Sequence, residues 1–182
     1  MAGAGAWSRS IWTDAGQLVS LIDPDGDPGN AAGQSLQAWH ACLVESGEIR
    51  AALAFLAHAL PRYECVVWAA QALIEAGAVE RKDPLVVAVL QWIDDPDDAK
   101  RRSAGDAAEA VRKTTPAKLL GHAVFLSGGS LAPKDLPPVQ PPPDVCAKLA
   151  AGAVLLGAHS LPDPPAALRK ALALGEAIVT GD

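Results

Sequence analysis

Between residues 49 and 60, apolar side chains fall at Ile49, Leu53, Leu56 and Leu60, the repeat of one helix face. Phe55 and Ala59 widen the stripe. Pro61 lacks an N–H and disfavours helical geometry in the residue before it, so this helix should stop near Leu60. A first-turn proline also suits a new helix. There Tyr63, Val66, Val67, Ala70, Leu73 and Ile74 form the apolar face, while Glu64, Gln71 and Glu75 share another. Trp68 stands with the polar residues. Gly77 ends the helix in left-handed geometry. The stretch 49–77 thus predicts two amphipathic helices folded back on each other around Leu60-Pro61.

The same pattern predicts helices along the rest of the chain. Trp7 and Ile11, one turn apart in an Ala/Gly-rich arm, predict a short helix clamped onto the body, and residues 17–22 a brief helical turn. A loop of turn formers follows at 23–30. Residues 33–46 read as a helix with Leu36, Trp39 and Leu43 on one side, ended by Gly47. Asp83-Pro84 supplies a cap and a first-turn proline for a helix with Leu85, Val86, Val89, Leu90 and Ile93 inward. The carboxylates of Asp94, Asp95, Asp97 and Asp98 turn the chain and suit the next helix N-terminus. That helix, 97–114, is expected to bury a thin face of Ala99, Ser103, Ala107, Ala110 and Val111. Thr115-Pro116 opens another, with Leu119, Leu120, Ala123 and Val124 inward, closed by Ser127-Gly128-Gly129-Ser130.

Residues 131–143 hold six prolines and predict an extended strap. Pro138 and Pro141 make a PxxP spacing, with Lys134 the one basic residue beside it. Two closing helices, 144–157 and 165–180, carry Gly152 and Gly175 inside them, which close helix–helix contact would explain. Pro61 and Pro96 each divide an apolar helix from an alanine-rich one, an echo of helical-hairpin arrays. The reading is all-α: an irregular array of about seven to eight helices with a proline-rich strap. It divides a single domain, 1–182, into an N-terminal arm and loop (1–32), a helical core (33–130), the strap (131–143) and a C-terminal helix pair (144–182).

Composition refines this picture. Half the residues are hydrophobic but only 4% are aromatic, so short helices packed closely through alanine are expected. A net charge of −6 argues against a nucleic-acid partner. Lys100-Arg101-Arg102 stands among Asp97, Asp98 and Asp106 and reads as a solvated, self-neutralised helix face. Three spaced cysteines, Cys42, Cys65 and Cys146, read as reduced buried thiols rather than a disulfide framework. No apolar run suits a signal peptide or a membrane span, so a soluble, cytoplasmic protein is expected.

Candidate chemistry is sparse. Asp23, Asp25 and Asp27 alternate as in a calcium loop, but glycine is misplaced and Gln34 holds the position of the bidentate glutamate. No metal or cofactor is expected. Ser127-Gly128-Gly129-Ser130 lacks the strand before it and the lysine after it that a phosphate loop requires. Cys65 lies in a first helical turn near His58 and Glu64 in sequence, a possible nucleophile, although a packed thiol is the plainer reading. An indole among polar residues either packs against another helix or meets a partner. Trp68, Glu64, Gln71 and Glu75 are therefore the candidate interaction surface, and no catalytic residue is assigned.

LPRYECVVWAA at 60–70, PDDAKRRSAGDAAEA at 96–110, and AVFLSGGSLAP at 123–133 leading into PPVQPPP together resemble a family of uncharacterised bacterial helical proteins. Members of that family stand in some cases near type VI secretion-like genes. The resemblance implies a bacterial, secretion-associated accessory protein and carries no catalytic residues. The leading expectation is a non-catalytic adaptor with a protein partner. The alternative is a small-molecule sensor or small enzyme with a helical pocket that uses Cys65, His58 or the 127–130 loop.

Overall fold

Short polar side chains and prolines set the helix boundaries. The computed structural model describes residues 6–133 and 135–181; Lys134, beside the PxxP spacing, and the first five residues of the arm lie outside the described residues. Nine α-helices are present among them, with no strand: α1 Ala15–Ile22, α2 Leu36–Glu45, α3 Ile49–Ala59, α4 Arg62–Glu75, α5 Pro84–Asp94, α6 Asp98–Ala110, α7 Pro116–Phe125, α8 Val145–His159 and α9 Pro164–Thr180. The count slightly exceeds the expectation, because the stretch read as a brief turn at 17–22 is the full helix α1, capped by Asp14 and Gln17. Asp83 caps α5 by accepting from the Leu85 amide at 2.8 Å. Asp97 accepts from Lys100 N at 2.7 Å, Thr115 from Lys118 N at 3.1 Å and Asp163 from Ala166 N at 3.0 Å. Each satisfies an amide that the first helical turn leaves without an intrahelical partner.

Helix α8 lies at the centre. It packs against α3, α4, α7 and α9, and its buried positions are almost all small: Cys146, Ala147, Ala150, Ala151, Ala153 and Gly157. Small side chains let four neighbours approach one axis. The remaining helices pack largely in chain order, α4 on α5, α5 on α6 and α6 on α7. One apolar cluster runs from Trp7 to Val179, and a smaller one joins Leu85, Val86, Ala108 and Ala117.

Five local expectations change. The arm before α1 is not helical; Trp7 is buried against His40 and Phe55 at ring distances of 5.2 and 6.1 Å, while Ile11 is 80% exposed. Arg9 N donates to Val179 O at 3.1 Å, so α9 holds the arm where it turns at Ser8-Arg9. The helices flanking Pro61 do not fold onto each other either: α3 and α4 each pack on α8 and α9 instead. The face of α6 is rotated from its expected position and buries Arg101, Ala104, Gly105 and Ala108. Phe125 fills the space above Gly105, where a Cβ would come within 2.9 Å of its Cβ. Gly175 does mark close contact, since a Cβ there would lie 2.5 Å from Leu56 Cδ2; Gly152 does not, with its nearest neighbour at 3.7 Å. Cys42 is exposed, and only Cys65 and Cys146 are buried.

Among the described residues no helix is long and apolar enough to cross a membrane. In the loop after α1, Asp27 turns its carboxylate onto the backbone, Oδ1 accepting from Gly29 N at 2.9 Å.

Candidate functional site

Trp68 is fully buried, so it leaves the candidate interaction surface. Its Nε1 donates to Ala171 O of α9 at 2.8 Å, in the space that Gly175 leaves by having no Cβ. The physical reason is the central place of α4, which α9 covers on the side that reads as polar. Ala171 and Gly175, one turn apart, are the sequence signal for this contact. The other three residues of the candidate surface separate. Glu64 is half-buried and faces Arg9 of the arm, 4.0 Å away. Gln71 and Glu75 are exposed and joined by a side-chain hydrogen bond of 2.8 Å.

Gln71 and Glu75 line a groove of about 260 Å³ between α4 and α5. Val67, Ala70 and Ile74 of α4 and Leu90 and Ile93 of α5 supply its apolar walls, and Arg81 adds a cation. Tyr63 fixes the two helices at one end. Its hydroxyl donates to Ile93 O at 2.8 Å and its ring lies 5.7 Å from that of Trp92. Val67 and Ile74 belong to the apolar face expected for α4, but they lie on its flank. The face that is buried is centred on Cys65, Ala69 and Ala72.

A larger cavity, about 610 Å³, opens where the chain turns at Pro61. Trp12 from the arm, His58 from α3, Arg62 and Cys65 from α4, and Pro143 at the end of the strap all line it. His58 and Cys65 are thus brought to one concave site, as the alternative reading required. Their chemistry is not that of a nucleophile and base. Burial pushes the Cys65 thiol well above its ordinary value, with nearby Cys146 acting in the same direction. Cys146 itself is pushed up to about 12 by burial. The thiolate, which is the reactive form, is disfavoured at both positions.

His58 is held differently. Its Nδ1 lies 2.7 Å from Ala54 O, an acceptor, so the Nδ1 proton is the one bonded. Burial lowers its pKa, and Lys148 adds to that; the Ala54 carbonyl, Asp144 and its backbone oppose it. Nε2 is buried and has no hydrogen-bond partner, a condition that costs roughly 1–3 kcal/mol.

The 127–130 loop does not line this cavity. Its hydroxyls are spent locally: Ser127 Oγ donates to Val124 O at 2.8 Å, and Ser130 Oγ accepts from the amides of Ala132 and Val139, both at 3.1 Å. Its carbonyls collect cations, which is the reverse of an anion cradle. Arg62 donates to Ser127 O at 3.3 Å; Arg101 and Arg102 donate to Ser130 O at 2.9 and 2.8 Å. The basic run is self-neutralised as expected, since Asp98 lies 2.6 Å from Arg101 and 2.9 Å from Arg102, and Lys100 2.7 Å from Asp95. Hydrogen bonds from Arg101 and then Arg102 hold the Asp98 carboxyl below the usual carboxylate range. What differs is burial: Arg101 is 4% exposed and anchors the loop from inside.

A second buried histidine links α2 to α9. His40 Nδ1 lies 3.0 Å from Glu176 Oε1, and burial lowers the His40 pKa from 6.5 to about 4. The neutral ring therefore donates to the carboxylate. The unfolded chain takes up this proton near pH 6.5 and the folded chain only near 4, so acidification favours unfolding across that window. The full effect is about 3 kcal/mol. Glu176 opposes it, because burial raises its pKa and the folded state takes up that proton first. Urea denaturation at pH 6.5 and pH 4 should show stability falling with acid, and His40→Phe should flatten that slope; an unchanged slope would contradict the assignment.

Residues 39–179, from within α2 to the end of α9, match a family described as of unknown function. The arm residues that wall the cavity, Trp12 among them, lie outside the match. No curated protein and no solved structure matches the chain. With the match spanning most of its length, the chain belongs to this family of unknown function, DUF6931.

Proposed function

We propose that the protein is a non-catalytic adaptor that docks an amphipathic helix of a protein partner in the groove between α4 and α5. The observation that carries this is the groove itself: apolar walls from Val67, Ile74, Leu90 and Ile93 beside the polar heads of Gln71, Glu75 and Arg81. An apolar trough between two helices with charged margins is the arrangement that helix-in-groove recognition uses. Glu75 and Arg81 supply both signs of charge, which would set the direction of the bound helix. The assembly we propose it serves is of a bacterial secretion type; that part rests on the resemblance of residues 60–70, 96–110 and 123–143 alone.

A photo-crosslinking amino acid at Gln71, compared with one at Leu156 on the exposed side of α8, tests the reading. In cells of a bacterium that carries the protein, Gln71 should yield a discrete adduct with one protein, which mass spectrometry identifies. Val67→Glu should remove that adduct without changing the melting temperature. Adducts of equal yield and identity from both positions, or none from Gln71, would overturn it.

A further inference from the structure

Independently of the α4–α5 groove, we infer that the cavity at Pro61 binds an amphiphilic carboxylate, an apolar chain ending in one negative charge, with that charge on Arg62. The cavity holds about 610 Å³, within the size range of small-molecule sites. Leu21, Ala57, Leu60 and Ala147 give it apolar walls, and Trp12 and Pro143 add flat ones. Ile11, also in the lining, is 80% exposed, so a large apolar side chain meets water beside an apolar hollow. A chain laid in the hollow and against Ile11 would remove both surfaces from water.

The charge of the head group follows from the polar side chains in the lining. His58 turns Nδ1 to Ala54 O, its Nε2 is enclosed by protein, and burial keeps the ring neutral at pH 7. Burial likewise keeps Cys65 as the neutral thiol. Arg62 is therefore the one formal charge among the described lining residues. Among the described residues no carboxylate pairs with it. Glu64, two positions on, faces Arg9 at 4.0 Å, and Asp144, beside Pro143, holds Lys148 at 2.6 Å. Arg62 is half-buried, where a charge draws a counter-charge more strongly than in open water. Its guanidinium makes one long hydrogen bond, 3.3 Å to Ser127 O, and carries more donors than that bond uses. The charge also acts on the buried Cys146 thiol of α8, next to Ala147 in the lining, so it lies on the α8 side of Arg62. The first turn of α4 begins at Arg62 without a side-chain cap, and the helix dipole adds to the same positive potential. An ammonium head group would meet a like charge there. A phosphate monoester would bring a second negative charge that no side chain in the lining balances. A carboxylate matches the guanidinium in both charge and shape.

The test uses the full chain and probes that share one alkyl chain: octanoate, 1-octanol, octylammonium and octyl phosphate. Calorimetry at neutral pH and low salt should show octanoate binding about tenfold or more tighter than 1-octanol, with octylammonium the weakest. In Arg62→Gln, octanoate should bind no tighter than the alcohol. Should that variant fail to fold, spectra of the wild-type protein decide: the Arg62 Nε–H resonance should move with octanoate and stay with 1-octanol. The same spectra place the ligand, since the Trp12 indole N–H and the Ala147 methyl should shift while the Val67 methyls and the Gln71 amide stay. No binding of octanoate, binding of any other probe as tight or tighter, an octanoate preference kept in Arg62→Gln, an unmoved Arg62 Nε–H, or shifts confined to the α4–α5 groove would each overturn the inference.

Discussion

Trp68→Ala is expected to lower the free energy of unfolding by about 4 kcal/mol, the largest single effect on this fold. The indole is completely buried between α4 and α9, so truncation removes its transfer free energy and leaves a cavity. Collapse into that cavity is restricted because Gly175 and Leu56 already meet there; a Cβ on Gly175 would be 2.5 Å from Leu56 Cδ2 and 2.9 Å from Trp68 Nε1. Loss of the hydrogen bond to Ala171 O adds less, because that carbonyl lies inside α9 and keeps its helical partner. The geometry also predicts coupling. Gly175→Ala alone should cost about 1–3 kcal/mol by overpacking. Combined with Trp68→Ala it should cost less, because the indole is one of the two groups it strikes. Urea denaturation of the two single variants and the double variant closes the cycle; strict additivity would show that the two residues do not share this space. A fall in partner binding by Trp68→Ala would report a damaged core, whereas Val67 and Gln71 report the surface.

The positions of helices were legible because capping is local. Asp83-Pro84, Asp97, Thr115-Pro116 and Asp163 act within three residues of themselves, and all of them cap as their types predict. Faces were legible only where a helix has one buried side. α4 has neighbours on several sides, α5, α7, α8 and α9, so its polar arc of Glu64, Gln71 and Glu75 is narrow and Trp68 falls at its edge. In α6 the buried position is an arginine, which in a sequence looks like any solvated charge. The candidate site divides in the same way. Gln71 and Glu75 sit on the α4–α5 groove, and Arg81, Leu90 and Ile93 complete it from outside the chosen set. His58 and Cys65 meet because Pro61 turns the chain between them, but Trp12 and Pro143 reach their cavity through tertiary packing that no local pattern encodes.

Arg101→Ala should be the second most costly change, at about 3 kcal/mol. The guanidinium is 4% exposed and bonds Asp98, the carbonyls of Phe125 and Ser130, and stands 5.0 Å from the centre of the Phe125 ring. Asp98 is 43% exposed, so water screens its attraction and the ion pair is the smaller part. The larger part is the Phe125 and Ser130 carbonyls, at the end of α7 and the start of the strap. Arg101 supplies donors to both, and packing around it excludes the water that would replace them. Arg101→Lys should recover little, because one ammonium cannot span groups that the planar fork reaches from separate nitrogens. Arg102→Ala should cost only about 1 kcal/mol, since its side chain is at the margin and Arg101 still serves Ser130 O. The damage should also be local before it is global. Val139 N donates to Ser130 Oγ and Leu131 N to Val139 O, so releasing Ser130 frees the amides that fix the strap. Hydrogen exchange of Arg101→Ala should therefore accelerate at Leu131, Ala132 and Val139 by a larger factor than in the interior of α8. Uniform acceleration across the chain would mean that Arg101 supports the array as a whole and not the junction between α7 and the strap.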